Sequence, residues 1–349
     1  MASTNLIGWF ADITLADRPT VGGKGGSLGE LTRAGIAVPG GFVVRTAAFE
    51  QLVDALESEA PLRALVEALA PDDLQGITLV SQQLMARVAA AALPAPLLAE
   101  LHAAHAALCA GEPLAPLAVR SSATTEDAED ASFAGLQDTY LWVMGVAEVE
   151  RQLRNCWASL YSVPSIAYRR SKGLPEAGVA MAVVVQRMVD ARTAGVMFTR
   201  SPTTGDRSVI VIEGAWGLGS AVVSGEVTPD RFVVGKITGE ISVREIRDKH
   251  IQHVPVATGG TVECETPAEL RNEPCVSDDE LMRLRETARR IERHYGRPQD
   301  IEWAIDRTQQ LLILQSRPET VWSTKEAVPV STAHDNPLHH VMSVFGGRT

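Results

Sequence analysis

The hydrophobic period changes once along the 349-residue chain, and that change limits the fold more than any single motif does. Residues 47–110 are dominated by Ala, Leu and Glu and are broken at Pro61, Pro71, Pro94 and Pro96. Proline removes a backbone donor and clashes with the preceding turn, so this stretch reads as helices separated by prolines. From residue 178 the pattern becomes extended. Residues 179–189 and 195–198 read as two strands with 190–193 turning between them, and 209–213 as a third. The run Gly214-Ala215-Trp216-Gly217-Leu218-Gly219 is too glycine-rich to be helical and is expected to be a loop. Helices and strands with glycine loops at strand ends indicate an α+β or α/β protein of two lobes.

Three further elements complete the outline. The first 45 residues carry a Gly-rich turn followed by the apolar Gly41-Phe42-Val43-Val44. Leu117-Ala118-Val119-Arg120 reads as a short buried strand running into a polar loop over 121–130. Ser277 with Glu280 forms a capping box, and Leu281, Leu284, Ala288, Ile291 and Tyr295 recur on one helical face until Gly296 ends it. Runs 300–306 and 311–317 read as a hairpin, and 323–349 as a linker or docking tail. The expected divisions are therefore 1–180, 181–322 and 323–349.

Composition excludes several classes of function. The net charge is -11 with no basic block, which argues against a nucleic-acid partner. No apolar run approaches the ~20 residues that span a bilayer, and no signal-peptide pattern opens the chain. Cys109, Cys156, Cys264 and Cys275 form no CxxC pair, so neither a zinc site nor a disulfide framework is expected. A reducing, cytosolic setting fits best.

Chemistry concentrates in three motifs. Gly22-Gly23-Lys24-Gly25-Gly26-Ser27 is not a Walker A loop, yet glycines beside a lysine let backbone approach a phosphate while the ammonium neutralises it. Taken alone, it reads equally as a surface turn with a solvated lysine. Arg120, at a strand end, can hold two phosphate oxygens through its planar fork, or can pair with Glu126, Asp127, Glu129 or Asp130. Ser132-Phe133-Ala134-Gly135 has the small side chains of a loop that closes over a ligand. In the hairpin, strand parity puts Asp300, Glu302 and Ala304 on one face, and Leu311, Ile313, Gln315 and Arg317 on one face of the second strand. A loop at 307–310 would set Asp300 opposite Arg317, Glu302 opposite Gln315 and Trp303 opposite Leu314. Two carboxylates, an amide oxygen and an arginine then offer hard ligands for Mg²⁺ and a cation for phosphoryl oxygens.

Together, the stretches at 22–31, 38–42, 119–123, 132–135, 195–199 and 300–318 resemble the nucleotide-binding domain of the phosphoenolpyruvate synthase and pyruvate phosphate dikinase family. The resemblance covers roughly residues 5–322. It implies an ATP-grasp fold with ATP and Mg²⁺ held between two α+β lobes. By carry-over, Lys24 and Arg120 bind phosphates, and the loop through Gly135, Gln137, Asp138 and Thr139 closes over them. Gln186 and Met188 lie near adenine and ribose, and Glu302 and Gln315 hold Mg²⁺. Arg317 stabilises the transferring phosphoryl group, while Glu213 and Asp300 contact ribose or support the metal. Leu136 departs from the family, where many relatives carry Gln.

The resemblance further implies transfer of a phosphoryl group to a histidine, with AMP and phosphate as products. The Gly-Gly-x-Thr-[Ser/Cys]-His-Ala string that carries this histidine is absent among the eight histidines present. The expectation is a catalytic subunit that phosphorylates a histidine on a partner in trans, as in phenylphosphate synthase. Alternatives are the ATP-binding part of a single-chain dikinase and an inactive nucleotide-sensing scaffold.

Overall fold

The computed structural model describes residues 5–124, 138–320 and 322. Two antiparallel sheets organise them. The first contains β1 (Ile7–Trp9), β2 (Gly41–Val44), β3 (Leu117–Ala123), β4 (Thr139–Val143) and β5 (Met181–Arg187), in the order β1-β2-β5-β3-β4. Around it lie α1 (Arg18–Arg33), α2 (Thr46–Glu59), α3 (Arg63–Glu67), α4 (Leu74–Ala90), α5 (Ala95–Cys109), α6 (Val146–Ser159) and α7 (Val163–Ser171). The prolines fall between or at the starts of these helices, as their chemistry requires.

The second sheet contains β6 (Ala191–Phe198), β7 (Val209–Trp216), β8 (Asp230–Gly235), β9 (Ile241–Glu245), β12 (Gln299–Asp306) and β13 (Leu311–Pro318), in the order β13-β12-β6-β7-β8-β9. The short α8 (Ser220–Val223), the hairpin of β10 (Ile251–Pro255) with β11 (Thr261–Glu265), and α9 (Asp278–Tyr295) accompany it. The Ser277–Glu280 capping box closes reciprocally, and Gly296 ends α9 in the left-handed conformation. Antiparallel pairing in both sheets gives a mixed helix-and-sheet fold of the α+β type.

Four sequence expectations require correction. The Gly-rich segment is not a turn but part of α1, which breaks only at Gly22 with φ 71°. A Cβ on Gly22 would fall 2.2 Å from the Ser122 carbonyl, so helix and strand meet at backbone distance. The segment 214–219 is not all loop, because β7 continues through Gly214 to Trp216. The buried Trp303 ring explains that glycine: a Cβ at Gly214 would lie 2.9 Å from it. β5 and β6 do not pair with each other but belong to different sheets. On sheet membership, the passage between lobes therefore falls at 188–190, not at 180.

The fourth correction concerns the hairpin. Asp300 does face Arg317 and Glu302 does face Gln315, but Trp303 faces Ile313 rather than Leu314. A bulge leaves Leu314 as the extra residue, and the register beyond it shifts by one. Ile313 consequently turns into the core with Trp303, while Leu312 and Leu314 pack with Ala304 on the other face.

Each lobe has its own core. The first gathers β1, β2, β3 and β5 with α2 to α7 around Phe42, Phe49 and Trp157. The second surrounds Trp303, Phe232 and the apolar face of α9. Helix α1 serves both: Val21 and Leu28 pack on Val43 and Val184 of the first sheet, whereas Leu31 enters the second core. Ser27 Oγ also donates to the Ser316 carbonyl of β13 at 2.5 Å.

Candidate functional site

The two sheets leave between them a cleft of about 620 Å³. Its floor is set by strand parity. Ala118 and Arg120 alternate inward on β3, opposite Gln186 and Val184 of β5. Met188 and Val189 form the passage between lobes, while Ala194, Leu218 and Leu314 close the far wall. The apolar part of the cleft thus has the dimensions and lining of a small-molecule site. Its polar end holds Lys24, Arg120, Glu302, Gln315 and Arg317.

Arg120 is the centre of that end. Its side chain is 9% exposed. Nη2 donates to Oε2 of Glu302 at 3.0 Å and to Oε1 of Gln315 at 2.7 Å. Nη1 donates to the carbonyl of Leu314, the bulged residue, at 2.9 Å. Among the described residues, its buried Nε has no hydrogen-bond partner. The pairing with Glu126, Asp127, Glu129 or Asp130 considered from sequence lies outside the described residues. Arg120 meets Glu302 of the second sheet.

The remaining residues sort by position. Lys24 is buried at the first turns of α1 and lines the cleft, as do Thr139, Gln186 and Met188. Gln186 is held by a bond from its Nε2 to the Pro39 carbonyl. Asp138 immediately precedes β4 and is not among the residues that line the cleft; its carboxylate accepts from the Tyr140 hydroxyl at 2.9 Å. Gly135 and Gln137 lie outside the described residues. Asp300 sits beside Arg317, with Nε and Oδ2 3.8 Å apart. Burial pushes the Asp300 carboxyl up to about 6, against the opposing pull of Arg317. Glu213 registers with Val196, which in turn faces Glu302, so all three share a sheet face. Its carboxylate nevertheless stands off the cleft, near Arg231 at 3.8 Å, and burial raises its pKa.

The sequence did not single out the apolar walls. Ala118 carried a signal, since it shares parity with Arg120 on a strand. Leu218 and Leu314 carried none, because a loop end and a bulge place them. A larger depression of about 840 Å³ opens at the N-terminus of α9. Its arginines are already matched, Arg192 and Arg283 with Glu280 and Arg244 with Asp278, so it offers a solvated ion-pair surface.

Residues 18–337 match the family model for the pyruvate phosphate dikinase AMP/ATP-binding domain. The chain belongs to that family. Among curated relatives, a probable phosphoenolpyruvate synthase of Methanothermobacter thermautotrophicus is 42% identical over 316 residues, 90% of this chain and 46% of the relative. A probable phosphoenolpyruvate synthase of Archaeoglobus fulgidus is 42% identical over 89% of this chain and 41% of its own. A rifampicin phosphotransferase of Streptomyces sviceus is 42% identical over 91% of this chain and 36% of its own. The chain spans less than half the length of these relatives. Among solved structures, D-cycloserine synthetase DcsG aligns over 83% of this chain and 59% of that one at 11% identity, with a TM-score of 0.27, too distant to carry an argument.

Proposed function

We propose that this chain is the ATP-binding, phosphoryl-donating module of a dikinase-type phosphotransferase, an ATP-grasp fold with the nucleotide between its two sheets. The observation that carries this reading is the cleft's polarity. One end is apolar and bordered by Gln186 and Met188. At the other, Lys24, Arg120 and Arg317 converge with Glu302 and Gln315. Adenine suits the first environment and a triphosphate the second.

Glu302 and Gln315 fit Mg²⁺, since their hard oxygens already gather around a cationic nitrogen. When bound there, the ion would neutralise charge on the phosphoryl oxygens. Lys24 and Arg120 fix the phosphates, and the unsatisfied Nε of Arg120 is a donor awaiting an acceptor. Arg317 supplies positive charge where negative charge develops during transfer. Thr139 borders the phosphates with Asp138 next to it, and Asp300 and Glu213 act from behind Arg317 and along the sheet.

The acceptor in this reading is a histidine on another domain or subunit, which passes the phosphoryl group onward, with AMP and phosphate as products. The relatives support phosphoenolpyruvate synthase- or rifampicin phosphotransferase-like chemistry better than the split phenylphosphate synthase arrangement expected from sequence. An inactive scaffold is disfavoured because the phosphate- and metal-binding types are all retained. Four unbridged thiols suit a reducing cytosol. Among the described residues, no single helix is long and apolar enough to cross a membrane.

Calorimetric titration of the intact chain with Mg-ATP tests the proposal. One binding site is expected, strongly weakened by Lys24→Ala; a chain that bound no ATP would refute it.

A further inference from the structure

The contacts of Arg120 carry a consequence for how the site is loaded. Its Nη2 engages Oε2 of Glu302 and Oε1 of Gln315, one oxygen from each residue proposed to hold the divalent cation. A guanidinium and a metal ion compete for that pair: Nη2 occupies a lone pair on one oxygen of each residue, and the like charges repel at close range. Arg120 is also anchored. Its Nη1 bond to the bulged Leu314 carbonyl fixes the guanidinium beside β13, and burial forbids it to stand without a counter-charge. The oxygens therefore stay capped until Arg120 is offered something better.

We propose that Arg120 is an internal stand-in for the metal: it caps Glu302 and Gln315 until nucleotide arrives, so that the divalent cation binds tightly only with the nucleotide. The phosphates are the exchange partner. They present the doubly hydrogen-bonding oxygens a guanidinium prefers, and Arg120 keeps an unused Nε donor with which to meet them. As Arg120 turns to phosphate, Glu302 and Gln315 are released together, and the Leu314 carbonyl serves as the pivot. The charge stays balanced throughout: the arginine exchanges carboxylate for phosphate, and the carboxylate exchanges arginine for metal. The inference deepens the proposed function and rests on Glu302 and Gln315 being the metal-binding pair.

Electron paramagnetic resonance of Mn²⁺, which reports binding without turnover, tests the idea on the full chain. Without nucleotide, wild type should bind Mn²⁺ only weakly at this site, and with a non-hydrolysable ATP analogue it should take up one ion tightly. Arg120→Gln should bind Mn²⁺ without nucleotide at least tenfold more tightly than wild type. The gain should vanish in Arg120→Gln/Glu302→Gln. Where Arg120→Gln fails to give a folded melting profile, Arg120→Lys, which keeps one charge but loses the fork, should give a smaller gain of the same sign. Equal Mn²⁺ affinity in nucleotide-free wild type and Arg120→Gln, or a gain that survives Glu302→Gln, overturns the capping role alone. Failure of wild type to bind Mn²⁺ even with the analogue overturns the metal assignment beneath it.

Discussion

Asp300 and Arg317 form a pair whose electrostatics can be read in solution. Burial pushes the Asp300 carboxyl from 3.8 up to about 6, so its folded-state pKa lies above the unfolded one. The stability this contributes is fully present below the unfolded value of about 3.9 and is lost as pH rises through the folded value. Asp300→Asn should therefore be more stable than wild type at pH 8, by up to roughly 3 kcal/mol, with the difference gone near pH 4. Denaturant titrations at the two pH values check the sign. Removing the neighbour acts the other way. In Arg317→Ala the Asp300 carboxyl should titrate still higher, because the attraction that lowers it is gone. That variant should keep ATP affinity while losing phosphotransfer by about 10²–10³-fold, as expected for a group acting on the transition state. Calorimetry and label transfer to a histidine-bearing partner separate the two effects.

Single elements depend on contacts that a local reading misses. Lys249 and Asp230 are fully buried, with Nζ and Oδ1 2.7 Å apart, and the same aspartate accepts the backbone N–H groups of Arg247 and Cys275. Lys249→Met leaves that carboxylate, at the first residue of β8, without its counter-charge and should cost about 3–5 kcal/mol in an unfolding titration. No motif announced this pair. The hairpin shows both sides of the question. Period-2 alternation gave the shared faces, because parity is a local property of a strand. The facing of Asp300 with Arg317 and Glu302 with Gln315 came from the assumed loop at 307–310, and it holds only because the bulge offsets the observed Ile305–Leu311 pairing. The bulge at Leu314 was invisible, since what it serves is the carbonyl bond to Arg120, 194 residues away. Similarly, Gly22 to Ser27 resembled a turn because glycine is a poor helix former. The reason for Gly22, and for Gly29 beyond that motif, lies in the close approach of α1 to Ser122 and Ile13, which only the tertiary structure reveals. Lys24, Arg120, Glu302, Gln315 and Arg317, which were named from sequence, do line one cleft, whereas the buried Lys249–Asp230 pair was not legible. The apolar walls of the cleft and the split of β5 from β6 were not legible either, because packing between distant segments decides them.

Over the whole molecule, α1 joins the lobes. Its Val21 and Leu28 belong to the first sheet's packing and its Leu31 to the second core, with Lys24 between. Leu31→Ala should cost about 2–5 kcal/mol and weaken ATP binding together, since the helix that presents Lys24 loses its grip on β13's lobe. Thermal melting and calorimetry on the same sample check both. The topology also bears on biosynthesis. β5 is inserted between β2 and β3, so the first sheet cannot close until residue 187 has left the ribosome. Arg120 then waits for Glu302 and Gln315, which follow it by 182 and 195 residues. A nascent chain that stops short of Gln315 owns Lys24 and Arg120, the proposed phosphate-binding side chains, but not the complete Glu302–Gln315 pair proposed to hold a metal. On those proposed roles, an interrupted translation product would meet phosphate without a finished metal site.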